Sequence, residues 1–187
     1  KGDYFERLVR VFLTHDDIQK QFYSAVVPFA EWAKERGWSN ADTGIDLVAT
    51  LADGSGYAAI QCKFYAPSHV IQKPDIDSFI SAASNDLFTR LIIADTTQMD
   101  FGRNTKETLS KLSKDWNRIG INELEACRID WSQFLRTGDV SLADKKTLKD
   151  HQRQALKAVT EGLEETDRGK LIMACGTGKT FTGLRIA

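Results

Sequence analysis

The sequence lacks an excess of charge of either sign: 25 lysines and arginines stand against 26 acids, a formal net charge of −1. A chain that grips nucleic acid over its whole surface carries a strongly basic balance. That class is excluded, and any nucleic-acid contact must be local. Cysteine is scarce too, with Cys62, Cys127 and Cys175 far apart. An odd count with no CxxC or Cys/His cluster excludes a disulfide framework and a zinc site of ordinary spacing, and fits a reducing cytosol. His15, His69 and His151 have no partners at metal-ligand spacing and are assigned no role. No apolar run approaches the ~20 residues that a membrane helix needs, and no signal-peptide pattern opens the chain. Internal repeats and low-complexity tracts are absent.

What remains is an ordinary globular composition, 42% hydrophobic and 27% charged over 187 residues. That length holds one full domain and part of another. The chain opens at Lys1 and stops at "FTGLRIA", within an apolar helical pattern, so we expect a piece of a longer protein.

Phe5, Leu8, Val9 and Phe12 recur at helical spacing and predict a helix over 3–14. "DDIQKQFYSAVVPFAEWAKERG" reads as a second helix, kinked or divided at Pro28 and ended by Gly37. Residues 45–51 and 57–65 read as a β-hairpin around "ADGSG", with "NADTG" before it a turn at Asp42. A helix from Pro74, a buried strand "FTRLIIADT" and an amphipathic helix "NTKETLSKLSKDWNR" follow. "GINELEACRID" is expected to hold a short strand and "WSQFLR" a short helix. The order is ααββαβαβα, a mixed sheet with helices on its faces. Apolar periodicity fades in "TGDVSLADKK", so residues 1–136 form one expected domain, 137–146 a linker and 147–187 the start of a second. There, "TLKDHQRQALKAVTEGLEE" reads as a helix and "GKLIMA" as a strand.

The hairpin carries polar residues where a core-feeding strand has little use for them. Alternation puts Gln61, Lys63 and Tyr65 on one face and Ile60, Cys62 and Phe64 on the other, the natural core face. Asp46, near the start of the first strand, is within reach of the Gln/Lys side. An acid, an amide and an amine so placed suit phosphodiester hydrolysis. Mg²⁺ prefers hard oxygen ligands, usually one or two carboxylates plus water and phosphate oxygens. Asp46 supplies the anionic ligand, and the Gln61 amide oxygen supplies a neutral one or fixes a water. Lys63 orients the attacking water and offsets developing charge. Glu6, on the first helix, is a candidate second carboxylate. Taken alone, the pattern also fits a solvated strand face, and Glu6 a surface helix residue.

Asp46, fourteen residues, then Gln61-Cys62-Lys63 resembles the PD-(D/E)xK nuclease motif, and "GIDLVA…AIQCKFY" resembles its Mrr-like branch, in which Gln replaces the second acid. The resemblance implies a restriction-endonuclease-like fold with Asp46 as metal ligand, Gln61 at the second-acid position and Lys63 as the motif lysine. Glu6 corresponds to the helix-borne acid. The proline that names the motif is absent, since Ile45 precedes Asp46.

In "LIMACGTGKT" an apolar strand runs into Gly176, Thr177, Gly178, Lys179 and Thr180 and then a helix. Such a loop wraps phosphates with backbone N–H groups, while the lysine reaches the β/γ-phosphates and the threonine hydroxyl holds Mg²⁺. The loop resembles motif I of superfamily 2 helicases and translocases. "LKDHQRQALKAV" resembles their Q motif, with Gln152 at the adenine-reading position. No Walker B acid, arginine finger or second RecA-like lobe appears before Ala187, so this stretch alone is not expected to hydrolyse ATP. An Mrr-like nuclease followed by such a motor resembles the N-terminal part of the single-polypeptide Type ISP restriction–modification enzymes. The resemblance implies a bacterial cytoplasmic enzyme with Mg²⁺ and ATP as cofactors. It also implies S-adenosylmethionine for a methyltransferase region not contained here, double-stranded DNA as partner and a second copy of the enzyme during cleavage. A catalytically inactive nuclease fold acting as a DNA-binding module on a motor is the alternative. Lysines and arginines such as Lys63, Lys73, Arg90, Arg103 and Lys106 are scattered, so weak intrinsic DNA affinity is expected.

Overall fold

In a computed structural model of the chain, the residues described are 2–38, 44–144, 147–166, 168–173, 182, 183 and 186. The chain divides into two compact units, Lys1–Ala143 and Asp144–Ala187.

The first unit opens with α1 (Gly2–His15), which buries Phe5, Val9, Phe12 and Leu13 at the spacing of one helical face. A 3-10 turn at Gln19–Gln21 leads into β1 (Tyr23–Pro28), followed by α2 (Phe29–Glu35). This corrects the expected second long helix, of which only the part after Pro28 is helical. The valines before Pro28 are β-branched and suit a strand. Pro28 ends that strand at a sheet edge, where its missing N–H costs least.

The hairpin forms as expected from β2 (Leu47–Leu51) and β3 (Tyr57–Lys63), antiparallel with Leu47 opposite Ile60. Then come α3 (Lys73–Ala82), β4 (Phe88–Asp95), α4 (Arg103–Ser110), β5 (Asp115–Ile119), α5 (Ile121–Ala126) and α6 (Trp131–Thr137). The expected amphipathic helix is thus split. Its first half is α4, and "DWNRI" is the edge strand β5. The strand expected in "GINELEACRID" is instead helix α5, followed by a lone bridge from Ile129 to Leu142.

The sheet has the order β1-β2-β3-β4-β5. Its first two junctions are antiparallel, and the β3/β4 and β4/β5 junctions are parallel. Both faces are covered. One packs Leu47, Ala49, Ala58, Ile60 and Ile92 against Phe5, Val9 and Phe12 of α1, with Leu124 and Phe134. The other packs Val48, Ala59, Leu91 and Ile93 against Trp32, Ile76, Phe79 and Leu109 of α2, α3 and α4. This is the three-layer helix–sheet–helix solution for a mixed sheet. It is the restriction-endonuclease-like mixed sheet with flanking helices that the sequence implied. Residues 140–143 return to this unit: Val140 packs on the core and the Ala143 N–H donates to the Arg128 carbonyl at 2.6 Å.

The second unit contains α7 (Asp150–Glu165), the helix expected there. Residues 169–173, the described part of the strand expected in "GKLIMA", have no regular structure and no strand partner among the described residues. Ile172 is 89% exposed. Gly176 to Thr180 and the turn at Asp42 lie outside the described residues.

Candidate active site

The site forms where β2 and β3 part. Their last ladder bond runs from the Asp46 N–H to the Ile60 carbonyl at 2.9 Å. One step further, the Asp46 side chain replaces a strand neighbour: its Oδ2 accepts the Cys62 N–H at 2.6 Å. A charged acceptor makes that bond strong, and it fixes the carboxylate at the fork.

Gly44 makes the fork sterically possible. Its φ is +79°, a region that side chains rarely adopt. A Cβ there would stand 2.7 Å from Ser78 Oγ, 3.0 Å from the Phe79 N and 3.3 Å from Gln61 Nε2. The glycine of "GIDLVA" thus lets the chain pass between α3 and Gln61 on its way into β2.

Gln61 is 2% exposed and faces the α3 side, opposite the face of Ile60 and Cys62 as expected, so it is not part of the solvated strand face that the pattern alone also fitted. Its Oε1 is buried and accepts no hydrogen bond in the structure. Leaving a buried polar atom unpaired costs roughly 1–3 kcal/mol, and a bound water or ion at this oxygen would remove that cost.

Glu6, on α1, approaches from the other face of the sheet. Burial first, then the Asp46 carboxylate, then Asp3, hold the Glu6 carboxyl above its ordinary value of 4.5. The two carboxylates thus disfavour each other's charge, and a bound cation would relieve that. Cys62 lies among all these groups. Burial and the charges of Asp46 and Glu6 push its thiol well up, while Lys63 acts in the opposite direction. The charges of Asp46, Glu6 and Lys63 thus all act on the Cys62 thiol.

The donor set fits a hard divalent cation. Asp46 and Glu6 offer carboxylates and Gln61 a neutral oxygen without a partner, the mixture that Mg²⁺ accepts alongside water and phosphate. Among the described residues no group of three or more His, Cys, Asp or Glu side chains is placed to hold a metal.

Sequence reasoning passed over two polar groups beside this site. Asp95, at the end of β4 and in register with Lys63, is fully buried and bonded to Arg118 of β5 at 2.6 and 2.8 Å. The apolar run "LIIAD" hinted at a held acid, but its partner lies 23 residues on. His69, assigned nothing from spacing, packs its ring on Tyr65 at 4.2 Å and places Nε2 3.7 Å from Asp75. The Tyr65 hydroxyl donates to Asp75 at 3.2 Å.

In the second unit, Gln152 is buried, and its Oε1 accepts the Lys149 N–H at 2.9 Å. There it closes the first turn of α7, as the third residue of a capping box does.

A mixed sheet that parts around an acid, an amide and a lysine defines a restriction-endonuclease-like protein. Comparison with known families agrees: a restriction endonuclease family matches residues 14–140, and the chain belongs to it. Residues 145–187 match the family described as Type III restriction enzyme, res subunit. Among solved structures the chain is similar to the ATP-dependent Type ISP restriction-modification enzyme LlaBIII bound to DNA. The identity is 35% and the TM-score 0.74, over 99% of this chain and 12% of that one. The MspJI restriction endonuclease in complex with a 27-mer oligonucleotide matches at 17% identity and a TM-score of 0.39, over 64% of this chain and 26% of that chain. No curated protein matches.

Proposed function

We propose that the first unit is the Mg²⁺-dependent endonuclease of an ATP-dependent restriction–modification enzyme. That enzyme cleaves unmethylated foreign duplex DNA after motor-driven translocation. The observation that carries this reading is the buried, unpartnered Gln61 Oε1 on the strand whose Cys62 N–H holds the Asp46 carboxylate. Asp46, Glu6 and Gln61 hold the cation. When bound, it lowers the pKa of an attacking water and offsets charge on the phosphate. Asp46 is kept at the fork by the Cys62 N–H. Lys63, at the end of a strand and not on a loop, orients the water and donates toward the charge that builds on the phosphoryl oxygens.

The second unit supplies the start of the motor. Gln152 reads adenine, Gly176, Thr177 and Gly178 wrap phosphates, Lys179 reaches the β/γ-phosphates and Thr180 holds the nucleotide's Mg²⁺. The likeness to LlaBIII spans 12% of that chain, so a complete motor and an S-adenosylmethionine-dependent methyltransferase belong to the longer polypeptide in this reading. DNA affinity of the nuclease unit is weak. Lys73 is paired with Asp77 at 2.7 Å and Lys106 with Asp100 at 3.0 Å, which compensates charge that phosphates would need.

The test is cleavage of unmethylated duplex by the full-length polypeptide and its Asp46→Ala variant, with Mg²⁺ and ATP. Loss of cleavage with ATP hydrolysis retained supports the reading. Cleavage that persists in the variant assigns the unit to DNA binding alone.

A further inference from the structure

Beyond Ile60, β3 has lost its β2 neighbour. On that side the segment that carries Gln61 and Lys63 keeps only the Asp46 carboxylate on the Cys62 N–H; on the other it is paired with β4, whose register runs to Lys63 opposite Asp95. The ladder does not stop there. The Thr96 N–H donates to the Lys63 carbonyl at 3.2 Å. The Thr96 hydroxyl accepts the Tyr65 N–H at 3.0 Å and donates to the Tyr65 carbonyl at 2.7 Å. One side chain thus does the work of both backbone groups of a strand partner and carries the pairing two residues past its end.

Thr96 is itself pinned on both sides. The Asp95 carboxylate accepts from the Thr97 N–H at 2.8 Å, the Thr97 hydroxyl at 2.6 Å and Arg118 Nε and Nη2 at 2.6 and 2.8 Å. The guanidinium also donates to the Thr97 hydroxyl at 2.8 Å and rests 4.4 Å from the Phe101 ring centre. A buried carboxylate with its acceptors filled resists displacement, since any shift exposes an unpaired charge to the interior.

We propose that Thr96 is a positioning residue for Lys63: it clamps the end of β3 beyond its β2 partner, and the Asp95–Thr97–Arg118 network keeps the clamp rigid. This rests on the nuclease reading of Lys63. Misplacing a catalytic group by about 1 Å costs up to 10²-fold.

The experiment measures the cleavage rate at saturating duplex and the KM for DNA in the full-length polypeptide. Thr96→Val keeps the shape and removes both hydroxyl bonds. Its rate is expected to fall on the order of 10- to 100-fold with KM and ATP hydrolysis unchanged. Thr96→Ser keeps both bonds and restores the rate to within a few-fold of the parent. If Thr96→Val does not fold, Thr96→Ala is compared with Thr96→Ser in the same way. Equal rates in the variants with and without the hydroxyl overturn the proposal. Lys63→Ala separates the two failures. If it still cleaves, the nuclease reading falls and the clamp with it. If it is inactive while the variant lacking the hydroxyl is unimpaired, only the clamp falls.

Discussion

Gln61 and Asp95 sit on neighbouring strands, turned to the same side of the sheet, and are 2% and 0% exposed. Asp95 has each carboxylate oxygen used by Arg118 or Thr97. The Gln61 Oε1 has no partner at all. Equal burial with opposite satisfaction separates two roles. A saturated polar group holds architecture, and its free energy is spent when the chain folds. An unsatisfied one keeps a bond in reserve for whatever binds. In the proposed reading the working edge of the site lies at β2/β3 and its support at β4/β5.

Removing one partner of the saturated pair should have the largest effect. Arg118→Ala leaves the Asp95 carboxylate buried and uncompensated, and is expected to lower stability by about 3–5 kcal/mol. Denaturant unfolding reads this directly, and a loss below about 1 kcal/mol would show that Asp95 does not depend on its partner. Next comes chemistry without a change of fold. Lys63→Ala or Asp46→Asn is expected to slow cleavage at least about 10²–10³-fold, with a melting temperature close to the parent's. A variant that cuts at the parental rate removes its residue from the site.

Gln61→Met sharpens the contrast further. It fills about the same volume and removes the amide, whose Oε1 bonds to nothing, so stability is expected to stay within about 1 kcal/mol of the parent or rise. Mg²⁺-dependent cleavage is still expected to fall. A large loss of stability would mean that the amide is a structural group like Asp95. The smallest effect belongs to Glu6→Gln and appears only with pH. Burial and Asp46 raise the folded-state pKa of Glu6, so the folded chain holds this proton more tightly than the unfolded one. Its penalty is absent below the unfolded value near 4.5 and grows as pH rises through the folded one. The variant should therefore gain on the parent between pH 4 and 7 in the absence of divalent cations. A constant difference across that range would contradict the cause given for the shift.

The hairpin and its motif were legible because their signals are local: a glycine turn, alternation, and an acid and a lysine whose spacing the turn sets. The two-sided burial was not. Ile60 and Cys62 marked one core face, but Phe79 and Ile76, which close the other over Gln61, belong to a helix a dozen residues further on. The strand at Tyr23–Pro28 was hidden because Tyr23, Val26 and Phe29 also match a helical spacing. At β5, only Ile119 is buried in a run of polar residues, so "DWNRI" carries no strand period to read. The Asp95–Arg118 pair was invisible for the same reason as most edge pairings: it depends on the parallel register of β4 and β5, which no local pattern states.

The central claim is that Asp46, Glu6 and the Gln61 amide oxygen share one divalent cation. Titration of Mn²⁺ into the nucleotide-free protein by calorimetry measures it most directly. The account predicts one site that Asp46→Asn abolishes and Gln61→Met weakens. Binding that is unchanged in both variants would contradict it.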